Sequence, residues 1–411
     1  MKDIEVDEFF MEKAICLARN GVGKVNPNPL VGAVIVKNSK IIAEGYHKKY
    51  GDFHAERDAI FNYLKENGGD REGLNGATMY VTLTPCCHWG KQPPCTDAII
   101  ENKISRVVIG SRDPNPLVGE KSIKILEDAG IEVKRDCLKE ECDRLNDVFF
   151  KYIQKKQPYV VMKYAMTADG KIATKTNESK WITGEGALKY VHTLRNKYKG
   201  IMVGINTVLV DDPMLNCRLE AEDITEVRNP IRIICDSKLR IPMDSNIVKT
   251  ANQYPTIIAT AFSEFENGEI NIDKIKNSKE VKEIDEETLN KIFELRFRGI
   301  ILINAVKPNS NLKSKSKIKV DLKTLMSFLG EIGIDGILLE GGATLNEDAL
   351  KSEVVDEIIC FIAPKIFGGK AKSPVEGLGI SKIEEAYKLS LKNLEMLGGD
   401  VMIGYKVCKE Y

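Results

Sequence analysis

The chain has 411 residues, which is too long for one ordinary domain and indicates two or three. Hydrophobic residues make up 43% and charged residues 29%, a mix typical of folded domains rather than of disordered chains. Sixty basic residues balance sixty acidic ones, which argues against broad, non-specific nucleic-acid binding. The balance leaves room for a local basic pocket that holds a phosphorylated small molecule.

The sequence contains no run of about 18 apolar residues, so no membrane-spanning helix is expected. Its acidic N-terminus lacks the apolar core of a secretory signal, which predicts a cytoplasmic protein whose ten cysteines are mostly reduced. Cys86, Cys87 and Cys95 are clustered, and three of the four histidines lie in the same region. The other cysteines are expected to pack as small apolar residues. The oligomeric state stays open, a homo-oligomer included.

In the first half, the apolar spacing predicts a helix that includes Phe9 and stops at Gly21, followed by a hairpin of strands at 32–36 and 41–45. Further helices are predicted at 55–67, 98–102 and 123–129, and further strands at 78–83, 107–109 and 131–133. Strands that alternate with helices imply a mostly parallel sheet with helices on both faces.

A lysine-rich junction from Lys151 to Pro158 precedes a second α/β pattern. We therefore predict domains at 1–150 and 159–411, joined by a linker at 151–158. Strands of the second half are predicted at 159–163, 200–203, 231–235, 256–260, 299–303, 336–339 and 358–362. The charged segment from Phe265 to Lys319 is expected to be irregular, and its lysine-rich end at 307–317 to be a solvated loop.

The first half contains the ligands of a zinc site. His54 precedes a predicted helix, and Cys86 and Cys95 follow about thirty residues later. One histidine and two cysteines supply three ligands, and a catalytic zinc leaves its fourth position to water. Zinc lowers the pKa of that water towards about 7. Glu56, two residues after His54, is placed to take the proton of the water and pass it to a leaving amine.

This combination has the logic of the zinc deaminases, although eight residues rather than two separate Cys86 from Cys95. A structural zinc knuckle with His88 as fourth ligand remains the alternative, but it gives Glu56 no role. A zinc-stabilised nucleic-acid-binding protein is disfavoured by the neutral charge and the lack of basic and aromatic stripes. A nucleic-acid-editing deaminase leaves the second half unexplained.

The segment from Pro27 to Gly32, the motif His54-Ala55-Glu56 and the long loop from Pro85 to Cys95 resemble the deaminase half of the bifunctional riboflavin-biosynthesis deaminase/reductase family. The resemblance implies a cytidine-deaminase-like three-layer α/β domain. Cys87 stands where that family more commonly has a small polar residue, and the register of the motif favours Cys86 as the ligand. The implied substrate contacts are Asn28 and His47 to the pyrimidine, His88 and Lys91 in the pocket with Lys91 near the phosphate, and the motif residues Asp113 and Asn115.

Taken from the residues alone, these contacts have ordinary alternatives. An asparagine amide reads the edge of a base, and a lysine is a point charge for phosphate. Asn28 between two prolines also suits a plain turn, and Lys91 suits a solvated surface position.

The second half continues the resemblance, in the segments 163–173, 179–183, 204–213 and 338–346, to the reductase half of the same family, which has a dihydrofolate-reductase-like fold. The last segment also has a physical interpretation of its own. An apolar run ends in Gly341-Gly342 before a helix-compatible stretch, and such a turn lets backbone N–H groups approach a pyrophosphate. The spacing is not that of a Rossmann motif, and the two glycines alone would indicate an ordinary turn.

The resemblance implies two cofactors, one zinc ion per chain and NADPH, and small phosphorylated pyrimidines as substrates. It implies that NADPH contacts Ala165, Trp181, Thr207, Asp211, Ser237, Gly342, Ala343, Thr344, Leu345 and Asn346. It implies that the reductase substrate contacts Lys163, Ser179, Arg195, Leu215, Arg218 and Glu340. The two arginines suit a ribose phosphate, which a guanidinium group binds bidentately, and the glutamate suits pyrimidine N–H groups. Surface ion pairs are the alternative for these charged residues, and a core position is the alternative for Trp181.

The implied chemistry is two consecutive steps of riboflavin biosynthesis. The first removes the 2-amino group of 2,5-diamino-6-(5-phosphoribosylamino)pyrimidin-4(3H)-one by hydrolysis. The second reduces the ribosyl group to a ribityl chain with NADPH and gives 5-amino-6-(5-phosphoribitylamino)uracil.

Overall fold

The computed structural model of the chain describes residues 3–115, 118–219, 227–271, 284–308 and 318–409. The chain divides into two compact units, Met1–Lys156 and Gln157–Tyr411. The N-terminal unit is built on a five-stranded sheet, and the C-terminal unit is built on a ten-stranded sheet. Within the described ranges, no helix combines the length and the apolar character that crossing a membrane requires.

The N-terminal unit contains both elements of the predicted hairpin and each predicted helix and strand. Its elements are α1 (Asp3–Ala18), β1 (Gly32–Lys37), β2 (Lys40–Tyr46), α2 (Ala55–Glu66), β3 (Thr78–Leu83), α3 (Cys95–Glu101), β4 (Arg106–Ser111), α4 (Gly119–Asp128), β5 (Glu132–Lys134), α5 (Lys139–Leu145) and α6 (Asp147–Lys155). The strand order is β2-β1-β3-β4-β5, in which β1 runs antiparallel to β2 and β3, and β3, β4 and β5 are parallel. The sheet is therefore mixed, since the hairpin reverses one strand of an otherwise parallel set.

Side chains along β1 point alternately to the two faces of the sheet, and a layer of helices covers each face. Ala33 and Ile35 belong to the core on one face of the sheet, which also contains Ile60 of α2. Val34 belongs to the core on the other face, together with Met11 of α1. Successive side chains of a strand point to opposite faces, so an uninterrupted apolar strand requires a helical layer on each side. The predicted three-layer α/β architecture is confirmed.

The C-terminal unit is a larger α/β domain. Its elements are β6 (Tyr159–Thr167), α7 (Glu185–Lys197), β7 (Gly200–Gly204), α8 (Ile205–Asp211), β8 (Ile231–Cys235), α9 (Asn246–Lys249), β9 (Thr256–Thr260), β10 (Gly268–Glu269), α10 (Glu286–Phe297), β11 (Ile301–Asn304), α11 (Leu322–Glu331), β12 (Gly336–Leu339), α12 (Ala343–Lys351), β13 (Val355–Ala363), β14 (Leu389–Leu397) and β15 (Asp400–Val407). The order is β10-β11-β9-β8-β7-β12-β6-β13-β15-β14. The strands from β11 to β13 are parallel, and antiparallel pairs form both edges.

The return of the chain to the middle of this sheet creates an opening. β12 lies between β6 and β7, although it follows both of them by more than a hundred residues. Its pairing with β6 ends at Leu339 opposite Met162, whereas β6 continues to Thr167. The last residues of β6 therefore lie beside the space above the carboxyl end of β12, where ligands bind in parallel α/β sheets.

The prediction of an irregular segment from Phe265 to Lys319 is wrong in part. Helix α10 occupies Glu286–Phe297, and the side chain of Asp285 caps it by accepting a hydrogen bond from the Thr288 N–H at 2.7 Å. The charged residues are those of an amphipathic helix that places Ile292 and Leu295 in the core. Most of the predicted solvated loop, residues 309–317, lies outside the described residues.

Two other features were not predicted from the sequence. Helix α6 continues through the first five residues of the predicted linker, and the two units divide between Lys156 and Gln157. The chain ends in the hairpin of β14 and β15, which pairs with β13 through β15. Residues along β14 are mostly exposed, although Leu389 and Leu391, and then Leu394 and Met396, alternate with polar residues as in a strand.

Close packing of α2 on β2 generates a prediction about stability. A Cβ atom on Gly45 would lie 2.3 Å from the Ala59 nitrogen and 2.6 Å from the Ala55 oxygen, both backbone atoms of α2. We expect Gly45→Ala to lower the free energy of unfolding of the N-terminal unit by about 1–3 kcal/mol, because the helix must move. Urea denaturation followed by circular dichroism measures this change. Gly90→Ala is the control, since a Cβ there meets nothing within 4 Å. Equal stability of the two variants would contradict the packing.

Candidate active sites

Three of the predicted zinc ligands meet in the N-terminal unit. His54 caps the N-terminus of α2, Cys95 is the first residue of α3, and Cys86 follows β3. The His54 Nδ1 atom lies 3.4 Å from the Cys86 Sγ and 3.5 Å from the Cys95 Sγ. Within the described residues, these three form the one group of potential ligand atoms that all lie within 4.8 Å of one another.

These distances fit a zinc ion. Around a tetrahedral zinc with ordinary bond lengths, a nitrogen and a sulfur ligand are separated by about 3.6 Å. A hydrogen bond from Cys95 and another from His54 lower the pKa of Cys86 to about 4, whereas burial raises the pKa of Cys95. Of the two thiols, Cys86 is thus the one that ionises more readily. His88 is outside the group, so the described residues supply three ligands and leave a fourth position open.

Backbone hydrogen bonds bring the two widely spaced cysteines together. The N–H groups of Cys95 and Thr96 donate to the Cys86 carbonyl at 3.0 and 3.2 Å. From α2, the Arg57 guanidinium donates to the carbonyls of Pro93 and Pro94 at 3.0 and 2.7 Å. The loop is thus closed at its base and attached to the helix that carries His54, which explains how an eight-residue gap still produces one site.

Glu56 lies in the first turn of α2 beside the three ligands. Its side chain is buried, at 3% exposure. Burial, reinforced by the neighbouring Cys86 thiolate, raises the pKa of Glu56 to about 7. A carboxyl group that titrates near neutrality both accepts and releases a proton readily, as an acid–base catalyst must.

The predicted pyrimidine contacts Asn28 and His47 form a connected pair beside His54. The His47 Nδ1–H donates to the Phe53 carbonyl at 2.9 Å, so the proton of this neutral ring is on Nδ1. Its Nε2 then accepts from the Asn28 amide at 3.1 Å. Burial lowers the pKa of His47 and keeps the ring neutral. The imidazole of His47 lies 5.4 Å from that of His54, centroid to centroid, and it fixes the orientation of the Asn28 amide.

The remaining predicted deaminase residues lie in two places: Asp113 and Asn115 follow β4, and His88 and Lys91 belong to the loop between the two cysteines. Burial, reinforced by the charge of the nearby Cys86 thiolate, raises the pKa of Asp113 to about 6. One oxygen of Asp113 accepts from the Asn115 N–H at 2.8 Å, which holds this turn at the end of β4. The His88 Nδ1 is buried and has no hydrogen-bond partner among the described residues. Lys91 is exposed, and its Nζ lies 4.0 Å from the centroid of the Tyr50 ring.

A cleft of about 570 Å³ opens at the carboxyl ends of β7 and β12 in the C-terminal unit. Helices α8 and α12 begin there, after the extended residues Gly204 and Gly342. The predicted cofactor residues that line it are Thr207, Asp211, Ser237, Gly342, Ala343, Thr344 and Leu345. The N–H groups at the start of α12 therefore face a cavity, as the binding of a pyrophosphate requires.

The structure does not place every predicted cofactor residue in this cleft. Ala165 lies on β6 in register with Phe361, and Trp181 is 62% exposed rather than in the core. The Asn346 amide points instead at the Pro374 carbonyl, to which it donates at 2.9 Å. Ser179, predicted for the substrate, lines the cleft. Four further lining residues were not predicted, because they belong to irregular segments that carry no motif: Asn177, Lys319, Lys372 and Glu376.

The predicted substrate residues Arg195 and Glu340 bind each other. The Nε and Nη2 atoms of Arg195 lie 2.8 and 3.0 Å from the two carboxylate oxygens of Glu340. Burial opposes ionisation of Glu340, but the charge and hydrogen bonds of Arg195 outweigh it and lower the pKa of Glu340 to about 2. Arg195 also donates to the Asn216 carbonyl at 3.0 Å. These three bonds use three of the five N–H donors of the guanidinium, and its direct role in phosphate binding stays a prediction.

Three other substrate candidates differ in their surroundings. Lys163 is the next residue of β6 after the last pair with β12, opposite Glu340, and burial lowers its pKa. Arg218 is exposed. Leu215 is 4% exposed, and its side chain packs in the core with Val208. Any contact between Leu215 and a substrate must therefore come from its main chain.

Each of the two units matches a known protein family. The cytidine and deoxycytidylate deaminase zinc-binding region matches residues 4–111, and the RibD C-terminal domain matches residues 158–403. The fold and the sites thus define a two-domain protein, with a deaminase domain of the zinc-binding class followed by a reductase domain.

The most informative relatives match over nearly the whole length. The riboflavin biosynthesis protein RibD of Actinobacillus pleuropneumoniae is 48% identical over 98% of this chain and 95% of its own, and that of Aquifex aeolicus is 39% identical over 98% and 99%. The solved structure of Acinetobacter baumannii RibD has a TM-score of 0.80 at 31% identity, covering 99% of this chain and all of that one. The Thermotoga maritima diaminohydroxyphosphoribosylaminopyrimidine deaminase/5-amino-6-(5-phosphoribosylamino)uracil reductase has a TM-score of 0.77 at 36% identity, over 98% and 99%. The chain belongs to the RibD family of riboflavin biosynthesis proteins.

The ligand geometry predicts different results for two adjacent cysteines. We expect Cys86→Ser to lose bound zinc, because a hydroxyl is a poor substitute for a thiolate on this metal. Cys87→Ser is the matched control and should keep one zinc per chain, since Cys87 lies outside the ligand group. Elemental analysis of the two purified variants measures the metal content. If the purified Cys87→Ser variant contained no zinc, Cys87 rather than Cys86 would be the ligand.

Proposed function

We propose that this chain catalyses two consecutive steps of riboflavin biosynthesis, each in its own unit. The N-terminal unit hydrolytically deaminates 2,5-diamino-6-(5-phosphoribosylamino)pyrimidin-4(3H)-one. The C-terminal unit reduces the ribosyl group of the product with NADPH and forms 5-amino-6-(5-phosphoribitylamino)uracil. Full-length identity to RibD proteins supports the pair of reactions.

The observation that carries the deaminase assignment is a buried acid beside an incomplete set of metal ligands. His54, Cys86 and Cys95 would hold one zinc ion, which supplies activation of the attacking water. Glu56 accepts a proton from that water and delivers it to the departing 2-amino group, which leaves as ammonia. The orientation of the Asn28 amide is set by His47, and this amide reads the edge of the pyrimidine.

In the C-terminal unit, a nucleotide cleft and a buried ion pair adjoin at the end of one strand. Glu340 follows β12 directly, and Gly342, two residues later, lines the cleft. The cleft would hold NADPH, which would supply the hydride for reduction of the ribosyl group. Glu340 accepts from pyrimidine N–H groups while Arg195 keeps it ionised, and the exposed Arg218 binds the phosphate.

One incubation tests the whole proposal. Purified protein is given the diaminopyrimidine phosphate with and without NADPH, and the product masses are determined. Without NADPH we expect the deaminated ribosyl compound and ammonia, and with NADPH the ribityl compound. Recovery of unchanged substrate from zinc-loaded protein in both reactions would contradict the proposal. The cytoplasmic location is a prediction from the sequence.

Substitution of Glu56 separates metal binding from chemistry. We expect Glu56→Gln to retain zinc but to lose deamination by at least about 10²-fold, because the amide keeps the shape and cannot transfer the proton. Ammonia release and metal content are measured on the same preparation. The variant should still oxidise NADPH when given the deaminated substrate. Near-normal ammonia release would remove Glu56 from the mechanism and favour a structural zinc.

Substitution of Glu340 should impair the reduction and leave the deamination unchanged. We expect Glu340→Gln to reduce kcat/KM for reduction of the supplied deaminated substrate by about 10²-fold, because it leaves the buried Arg195 charge unpaired. Ammonia release from the diaminopyrimidine should be unchanged. Glu353→Gln is the control, since it removes an exposed carboxylate that pairs with Lys323. If Glu340→Gln behaves like this control, the buried pair has no part in reduction.

A further inference from the structure

A short segment between α8 and the end of the described range is bound to helix α7 at two points. This segment, residues 214–218, is called the α7 strap below. The Asn216 carbonyl accepts from Arg195 at 3.0 Å, and the Arg218 N–H donates to the His192 Nδ1 at 3.1 Å. His192 and Arg195 are three residues apart on α7, so they lie on the same face of the helix.

The hydrogen bond to the strap defines the protonation state of the His192 imidazole. Because its Nδ1 accepts from a backbone N–H, this nitrogen carries no proton, and the ring is neutral with its hydrogen on Nε2. Burial, together with the positive charges of Arg195 and Arg218, lowers the pKa of His192 to about 4. The acceptor on Nδ1 is therefore available throughout the neutral pH range.

Other contacts hold the strap on both sides of this bond. The Cys217 N–H donates to the Asn229 side chain at 2.9 Å, and the Cys217 thiol donates to the His192 carbonyl at 3.3 Å. The Leu215 side chain is buried in the core, and its backbone is left-handed, with φ of 52°. Arg218, in contrast, has an exposed side chain. These contacts thus hold the backbone of the strap as far as Arg218, whose side chain extends into solvent.

We propose that His192 is a positioning residue for the reductase substrate, which sets the place of Arg218 relative to the Arg195–Glu340 pair. The inference rests on the proposed function, in which Arg218 binds the substrate phosphate and Glu340 binds the pyrimidine. One face of α7 then fixes both ends of the substrate. Arg195 positions the Glu340 carboxylate, which binds the pyrimidine. His192 positions the backbone of Arg218, whose guanidinium binds the phosphate.

The arrangement predicts a selective effect. Neither His192 nor Arg218 lines the nucleotide cleft. Loss of the bond between them should therefore weaken binding of the phosphorylated substrate and leave binding of NADPH unchanged. A residue with a merely structural role would change kcat, both KM values and thermal stability together.

The test compares substitutions that keep or remove the acceptor. His192→Asn retains an oxygen at the position of Nδ1, His192→Phe retains a ring without an acceptor, and His192→Gln places its acceptor one bond further out. We expect His192→Phe and His192→Gln to raise KM for the deaminated substrate by about tenfold, the value of one hydrogen bond, with kcat and the KM for NADPH within about twofold. His192→Asn and the exposed neighbour Thr193→Ala should resemble the unmodified protein.

A double-mutant cycle identifies the route of the effect. In an Arg218→Ala background, His192→Gln should cause no further rise in KM, because the group that it positions is gone. An equal rise in both backgrounds, an unchanged KM, or parallel losses in kcat and both KM values would overturn the proposal. Comparison of the Asn and Gln variants keeps the test decisive if the Phe variant does not fold. Failure of the unmodified protein to reduce the deaminated substrate would instead contradict the proposed function.

Discussion

The N-terminal site depends on holding an imidazole and two cysteine sulfurs within 4.8 Å of one another, with no fourth ligand from the described part of the chain. Sulfurs at this separation repel once they are ionised, so the position must be imposed by the backbone. The beginnings of α2 and α3 supply His54 and Cys95, and hydrogen bonds to the Cys86 carbonyl close the loop between the cysteines. Burial of Glu56 beside this set follows from the same helix start, which carries both the ligand and the acid.

Both units place their candidate chemistry where parallel strands end. In the first, Cys86 and Asp113 follow the neighbouring parallel strands β3 and β4. In the second, Glu340 and the cleft lie beyond β12, which is inserted between β6 and β7. Helices begin at this edge of such sheets, so their N–H groups and the side chains that follow the strands face the same space. One geometric rule thus produces a metal site in one unit and a nucleotide cleft in the other.

Local patterns made the N-terminal site predictable from the sequence. The two-residue offset of Glu56 from His54, and the helices that begin beside His54 and Cys95, are properties of short segments. The Arg195–Glu340 pair joins residues 145 positions apart, and no local pattern shows that these two side chains bind each other. The same holds for Asn346, which the loop after β13 turns away from the cleft.

The fold shows the same division between local and long-range information. Apolar runs located the central strands, whereas α10 was missed because charged residues dominate its exposed face. The hairpin of β14 and β15 was missed because a bulge between Leu391 and Asn393 interrupts the period-two alternation of apolar residues along β14. His192 received no role from the sequence, since its partner Arg218 lies 26 residues away, beyond β7 and α8.

A zinc ion bound by His54, Cys86 and Cys95 would have an open fourth position and would therefore be catalytic rather than structural. X-ray absorption at the zinc edge of the full-length protein tests this coordination most directly. The structure predicts two sulfurs at about 2.3 Å, one imidazole nitrogen at about 2.0 Å and one further oxygen that comes from no protein side chain. A second imidazole, contributed by His88, or a third sulfur in the coordination shell would mean a closed structural site and would contradict the account.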